Sequence, residues 1–369
     1  MTVSVAAAPR VARPLLCPFD LTVDVVDRML NFEIADDPHY TGLEVQVFDD
    51  EIHGRGMAVL LTRSNDDRAD CYRQAGLDLD PDGYEIGGGV GAWVETTISP
   101  ARFEITPRGV DLRVAFRDTL GRLIELRIDD PSGRRRAPAT MLAPLGAGIH
   151  HPTSLMLVWM RAFDLLRASG REPEIRIDGN RVTTGKLPGE WLHRRRLIKY
   201  AADLGVVRLN AMSDGSPAVV DTNAPGSAEL DPTGTRIAAI SARGGGHTAR
   251  FELAPALADL AGLRVGATIE GHWRLAIDDA ARVVGGSWTA VRNVDAVDLT
   301  LAVKQGWRPS RLPPLMRIVT TVARVFRDWP TTYRWHATIA LGNDPTINAR
   351  WERTTGERGR SYRRLTGTQ

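Results

Sequence analysis

The chain reads as mainly β: two tandem antiparallel β-barrels related by internal duplication, with few helices. Three observations lead there. Ala101-Arg102-Phe103-Glu104-Ile105-Thr106-Pro107 returns as Ala249-Arg250-Phe251-Glu252-Leu253-Ala254-Pro255, with five of seven positions identical. Apolar residues alternate with polar ones along most of the chain, the period of a strand with one buried face. Four tryptophans also follow a glycine two residues earlier: Gly91–Trp93, Gly189–Trp191, Gly271–Trp273 and Gly286–Trp288. On a strand such pairs share a face, and glycine lets the strand bend as a closed barrel requires.

Two further blocks support the duplication. Leu112–Asp118 aligns with Trp273–Asp279 and keeps Arg, Ala and Asp. Gly146 through Leu155-Met156 aligns with Gly306 through Leu315-Met316. The insertion Ala256–Ala267 absorbs the one gap, so the blocks stay collinear, as repeats should.

Taken in order, the alternation predicts strands over 43–48, 56–62, 91–98 and 101–106. A hairpin follows: Val110, Leu112, Val114 and Phe116 share one face, Arg117–Gly121 turns, and Ile124, Leu126 and Ile128 resume the period. Leu155 to Ala168 is apolar nearly all round and reads as a helix, with a buried strand as the competing reading at 155–160. Strands over 174–178, 195–201, 204–210, 236–242, 247–253, 283–291, 296–303, 333–341 and 347–351 complete the pattern, and Leu315–Arg327 is the second helix. The expected organisation is a first barrel-like domain over 15–185, a second over 186–352, and a basic mobile tail over 353–369. Residues 213–235, rich in Gly, Pro, Ser and Asp, form a surface loop.

Composition narrows the function. The 369 residues are 43% hydrophobic and 25% charged, with a net charge of +2, which excludes an electrostatic case for nucleic acid. Lysine occurs only at 186, 199 and 304. Cys17 and Cys71 have no metal-ligand spacing and fit a reduced, cytoplasmic setting. No run approaches the roughly 18 apolar residues of a membrane span. His150-His151 would point apart on a strand, and His39, His53, His193 and His247 are scattered, so no metal is expected. Gly87–Gly91 and Gly244–Gly246 lead into strands rather than helices, which removes the phosphate-loop reading; no cofactor is expected. The basic run His193–Arg196 reads as a solvated strand edge, or more sharply as a site for an anionic head group.

Polar residues on otherwise apolar strands are the candidate chemistry. Glu95 shares a face with Trp93; His272 and Arg274 lie opposite Trp273; Arg334 and His336 lie opposite Trp335. A strand face lining a cavity would turn such residues into an apolar pocket with a few polar groups. Glu95, Asp118 and His272 are the catalytic candidates; Trp93, Trp273, Arg274, Trp288, Trp335 and His336 are the ligand-binding ones. Asp118 has a structural alternative, holding the hairpin turn as its counterpart Asp279 would.

With two similar halves and its Gly-x-Trp pairs, the chain resembles the bacterial lipocalin-like proteins with two fused barrels, a group that includes carotenoid hydratase-like and tocopherol cyclase-like proteins. Gly189-Glu190-Trp191, ahead of the strand at 195–201, stands where lipocalins carry Gly-x-Trp. The resemblance implies a large, mostly apolar ligand such as an isoprenoid, a steroid or an acyl chain. It implies either binding alone or cofactor-free hydration, cyclisation or isomerisation; it transfers no functional residue. A carboxyl held neutral in an apolar pocket would suit such acid–base chemistry. The alternative is a non-enzymatic protein–protein scaffold, favoured if the apolar helix 155–168 is exposed.

Overall fold

The computed structural model describes residues 15–354, except 108, 131–138, 169–170, 188, 211–217, 220–227, 279–282, 308–311, 313, 323–325, 327–328 and 343–344. The tail expected to be mobile lies outside the described residues from 355 onward, and so do Asp279 and parts of the loop at 213–235 and of the helix at 315–327.

The fold is mainly β. Five strands organise it: β1 (Leu21–Glu33), β2 (Tyr40–Asp50), β3 (Gly54–Arg63), β4 (Leu155–Arg167) and β5 (Arg195–Leu209). They belong to an eight-stranded sheet in the spatial order Ala139–Ala143, β4, β5, β1, β2, β3, Ala69–Arg73, Val90–Glu95. Its pairs are antiparallel except the last, which is parallel. A five-stranded sheet runs from Ala101–Thr106 through Gly109–Arg117 and Leu123–Asp129 to Glu174–Ile177 and Asn180–Arg181. The third sheet is an eight-stranded meander from Ala228–Leu230 to Thr346–Arg353, each strand pairing with the next in sequence.

The first sheet is buried on both faces, and its long strands show how. In β5, Ile198 and Tyr200 pack against the five-stranded sheet. Val207 and Leu209 pack instead into the core of the meander. Ala201 and Leu204 both point to the opposite, concave face, although they are three residues apart. Strict alternation would forbid that. The strand slips by one residue at Asp203, whose φ is +55°. β1 slips between Val26 and Met29, and β4 between Met160 and Phe163. The three slips lie side by side, since Ala202 pairs with both Arg28 and Ala162 while Leu204 pairs with both Val26 and Met160. Because all three strands slip together, the register is the same on either side of the slip. The concave face therefore continues across the sheet, while the convex face serves two different cores.

Charged side chains fill the seam between those two cores. Arg28 Nη1 donates to the Phe103 carbonyl of the five-stranded sheet at 2.6 Å. Arg161 donates to Asp203 at 3.0 Å and to Asp278 of the meander at 3.1 Å. The His247 ring is fully buried there, with Nδ1 2.8 Å from Asp278 and Nε2 3.0 Å from Asp203. Burial opposes charge on Asp278, but the Thr248 amide, His247 and Arg161 together hold its carboxyl below the ordinary value.

Four expectations need correction. Leu155–Ala168 is not a helix: Leu155–Arg167 is a strand, apolar on both sides because one face meets the meander core and the other the concave core. Residues 195–201 and 204–210 are one strand, and it pairs with β1 and β4, so the boundary expected at 185/186 falls inside the first sheet's territory. The third repeat block is unlike in structure, since Leu155-Met156 opens a strand whereas Leu315-Met316 lies in helix α1 (Pro314–Val322). The run at 193–196 is not a free basic edge, because Arg195 pairs with Asp164 and Arg196 with Glu172.

The Gly-x-Trp pairs of the meander work across strands. Gly271 stands opposite Trp288, and Trp273 opposite Gly286. Each indole thus covers the glycine of the neighbouring strand. A Cβ on Gly286 would stand 1.8 Å from the Ala302 carbonyl oxygen and 3.0 Å from Trp273 Nε1. Gly286→Ala should therefore destabilise the protein by about 1–3 kcal/mol in urea unfolding. Gly342→Ala, with nothing within 4 Å of the added atom, should change it by less than about 0.5 kcal/mol.

Candidate functional site

The concave face of the first sheet holds a cavity of about 1360 Å³. That exceeds the roughly 300–1,000 Å³ of common small-molecule pockets. Its floor is the side chains of β1, β2, β3 and β5 that the slip keeps on one side, and β4 adds Met156 and Val158. Three loops make the rim and are tied to their surroundings by backbone bonds. Gly185 N donates to Glu33 O at 3.0 Å, Asp78 N to His53 O at 2.9 Å, and His150 N to Gly87 O at 2.9 Å.

Most of the floor is apolar, including Val26, Met29, Leu60, Leu204 and Val206. A polar row crosses it. Lys199 on β5 stands opposite Asn31 on β1, which stands opposite Glu44 on β2. Directly opposed residues on neighbouring strands share a face, so the three side chains meet. Asn31 Nδ2 donates to one Glu44 oxygen at 3.2 Å, and Gln46 Nε2 to the other at 2.7 Å. Tyr84 from the rim donates its hydroxyl to Gln46 Oε1 at 3.1 Å. Glu33 lies two residues beyond Asn31 on the same face.

Enclosure changes the acids. Burial raises the Glu44 carboxyl above its ordinary value, and Gln46, Asn31 and Lys199 only partly oppose it. Burial likewise raises Glu33, again opposed by Lys199. The Tyr84 hydroxyl is pushed well above its usual range by burial and stays neutral. Glu44 is therefore a carboxyl that holds its proton to higher pH than an exposed glutamate does. A group of that kind can protonate an alkene or enone, or accept a proton from one.

The other end of the cavity is differently built. His53 Nε2 lies 2.9 Å from Asp24 and Nδ1 2.9 Å from Asp50. The Asp24 bond, against the opposing effect of burial and with help from Asp50, raises His53 to about 9. Burial works against charge on Asp24, but His53, the Val25 amide and Arg208 hold it below the ordinary value. Arg208 also donates to the Gly83 carbonyl of the rim.

None of the nine residues singled out from the sequence lines this cavity. Glu95 is exposed and pairs with Arg73 at 3.5 Å. Asp118 is buried in its turn, accepting from the Leu120 and Arg122 amides and pairing with Arg122 at 2.9 Å, which is the structural role. His272 is exposed on the outer face of the meander. Arg274 pairs there with Glu252, and His336 with Glu352. Trp273, Trp288 and Trp335 point inward but meet one another's neighbours in a packed core. Trp93 is the nearest approach, its ring 5.4 Å from that of Tyr84. Among the described residues, no group of three or more His, Cys, Asp or Glu side chains is placed to hold a metal, and no helix is long and apolar enough to cross a membrane.

The fold and site thus define a mainly β protein with a large cavity on a curled sheet. No family model, no curated protein and no solved structure matches the chain.

The His53 cluster makes a pH prediction. A group raised in the folded state stabilises fully below its unfolded value, near 6.5, and that contribution is lost as pH rises through the folded value of about 9. The urea midpoint should fall between those limits, and His53→Gln should flatten the fall.

Proposed function

We propose that the protein binds a large, mainly apolar small molecule in the concave cavity of its first sheet. The observation that carries this is the cavity itself: an apolar floor of about 1360 Å³ crossed by one polar row. A small number of placed polar groups in an apolar enclosure is what orients a hydrophobic metabolite. The reading keeps the lipocalin-like idea of an antiparallel sheet curled round a ligand, and with it the idea of a curled unit present twice. It places the ligand on the first sheet, since the meander's interior is filled with aromatic side chains. The lipid classes the resemblance implies, isoprenoid, steroid or acyl, stand as the substrates to test.

If the protein is a catalyst, Glu44 is the acid–base group. Asn31 and Gln46 fix its carboxyl, and the apolar floor holds an alkene or ring beside it. Hydration, isomerisation or cyclisation would each need only such a proton donor and acceptor, without metal or nucleotide. A cytoplasmic setting, inferred from the sequence, supplies such metabolites. The scaffold alternative loses its main support, because segment 155–167 is a buried strand rather than an exposed apolar helix.

Organic extraction and mass spectrometry of protein purified from its native cells should recover one apolar molecule per chain. Val206→Trp, which fills the cavity, should lose it while the protein stays folded. An empty extract from the native protein would count against binding. Turnover of the recovered molecule that survives Glu44→Gln unchanged would remove Glu44 as a catalytic residue.

A further inference from the structure

This step rests on the cavity being a ligand site and concerns what that ligand carries. We infer that the apolar molecule bears a basic amine, and that its ammonium group sits against Glu44 and Glu33.

The charge pattern points there. Carboxylates outnumber lysines and arginines along the lining by more than two to one. The cations on the floor of the cavity are already engaged. Arg208 lies 3.7 Å from Asp24 and donates to the Gly83 carbonyl, and His53 is bracketed by Asp24 and Asp50. Lys199 is shared between two carboxyls, Glu33 and Glu44. A fatty acid or phosphate head reaching the floor of the cavity would meet an excess of like charge, and Lys186, the lining cation with no acidic partner among the described residues, stands exposed on the rim loop rather than in the polar row. Like charge in a poorly solvated site is strongly disfavoured.

An amine reverses each of those terms. The Glu44 oxygens each accept one side-chain bond, and a carboxylate has about four lone-pair sites, so acceptor capacity remains for an ammonium donor. Glu44 also keeps accessible surface toward the cavity. Phe48 and Tyr84 are in the lining, and an aromatic face attracts a cation by about 0.5–2 kcal/mol. Burial raises the Glu33 and Glu44 carboxyls, and an ammonium group beside them would offset that cost. The amine supplies that group, and its apolar body covers the rest of the floor.

The test compares three probes of one chain length. Calorimetric titration of the full chain at pH 7 uses dodecylamine, dodecanol and dodecanoate, each below its micelle concentration. The amine should bind about ten-fold or more tightly than dodecanoate, a difference of about 1.4 kcal/mol. Glu44→Gln should remove most of that preference and leave dodecanol binding within about two-fold. Lys199→Met, which deletes the competing ammonium, should tighten the amine and serves as a second variant should Glu44→Gln not fold. Dodecanoate binding as tightly as the amine, or an amine preference untouched by both variants, would overturn the inference while leaving the cavity reading intact. Binding of none of the three would overturn the cavity reading as well.

Discussion

The slip shared by β1, β4 and β5 is the constraint on which the rest depends. A strand that alternated strictly through Asp203 would send Val207 and Leu209 into the cavity and Arg208 into the aromatic core of the meander. The same error would strike β1 and β4. One residue of phase shift flips every later side chain to the other face. By making that shift in the same row of all three strands, the sheet changes the core it serves on its convex side. It does so without shifting the register across that row or interrupting its concave side.

The seam this creates lies between two apolar layers, and polar backbone and charged groups there must be satisfied locally. Arg28 bonds one layer; Arg161, Asp203, His247 and Asp278 bond the other. Each of these charges has a partner of opposite sign or a carbonyl at hydrogen-bond distance. The cavity end of the molecule is arranged the opposite way. There acids outnumber lysines and arginines along the lining, and burial raises Glu33 and Glu44.

Much of the fold was legible because alternation survives wherever one face is wet. The meander strands and the hairpin at 110–128 read directly. What failed to read was the slip. The segment Leu21–Glu33 shows no single period, because Asp27-Arg28 interrupts it, and so alternation does not reveal the central strand of the molecule. The break at 202–203 divided one strand into two for the same reason. The site was less legible still. Glu44 and Gln46 alternate with Leu43 and Val45 as any solvent face would, and nothing local reveals that this face is covered by loops 78–87 and 183–187. Trp273 and Trp335 each stand between polar neighbours on their strands, which suggests a pocket face, yet both indoles fill the packed core of the meander.

The segregation of aromatics has an optical corollary. Trp273, Trp288, Trp335 and Trp351 sit together in the meander, on the far side of the first sheet from the cavity. Their emission reports the integrity of that half and stays dark to events in the other. Trp93, stacked edge-on against Tyr84, is the natural chromophore for anything that enters.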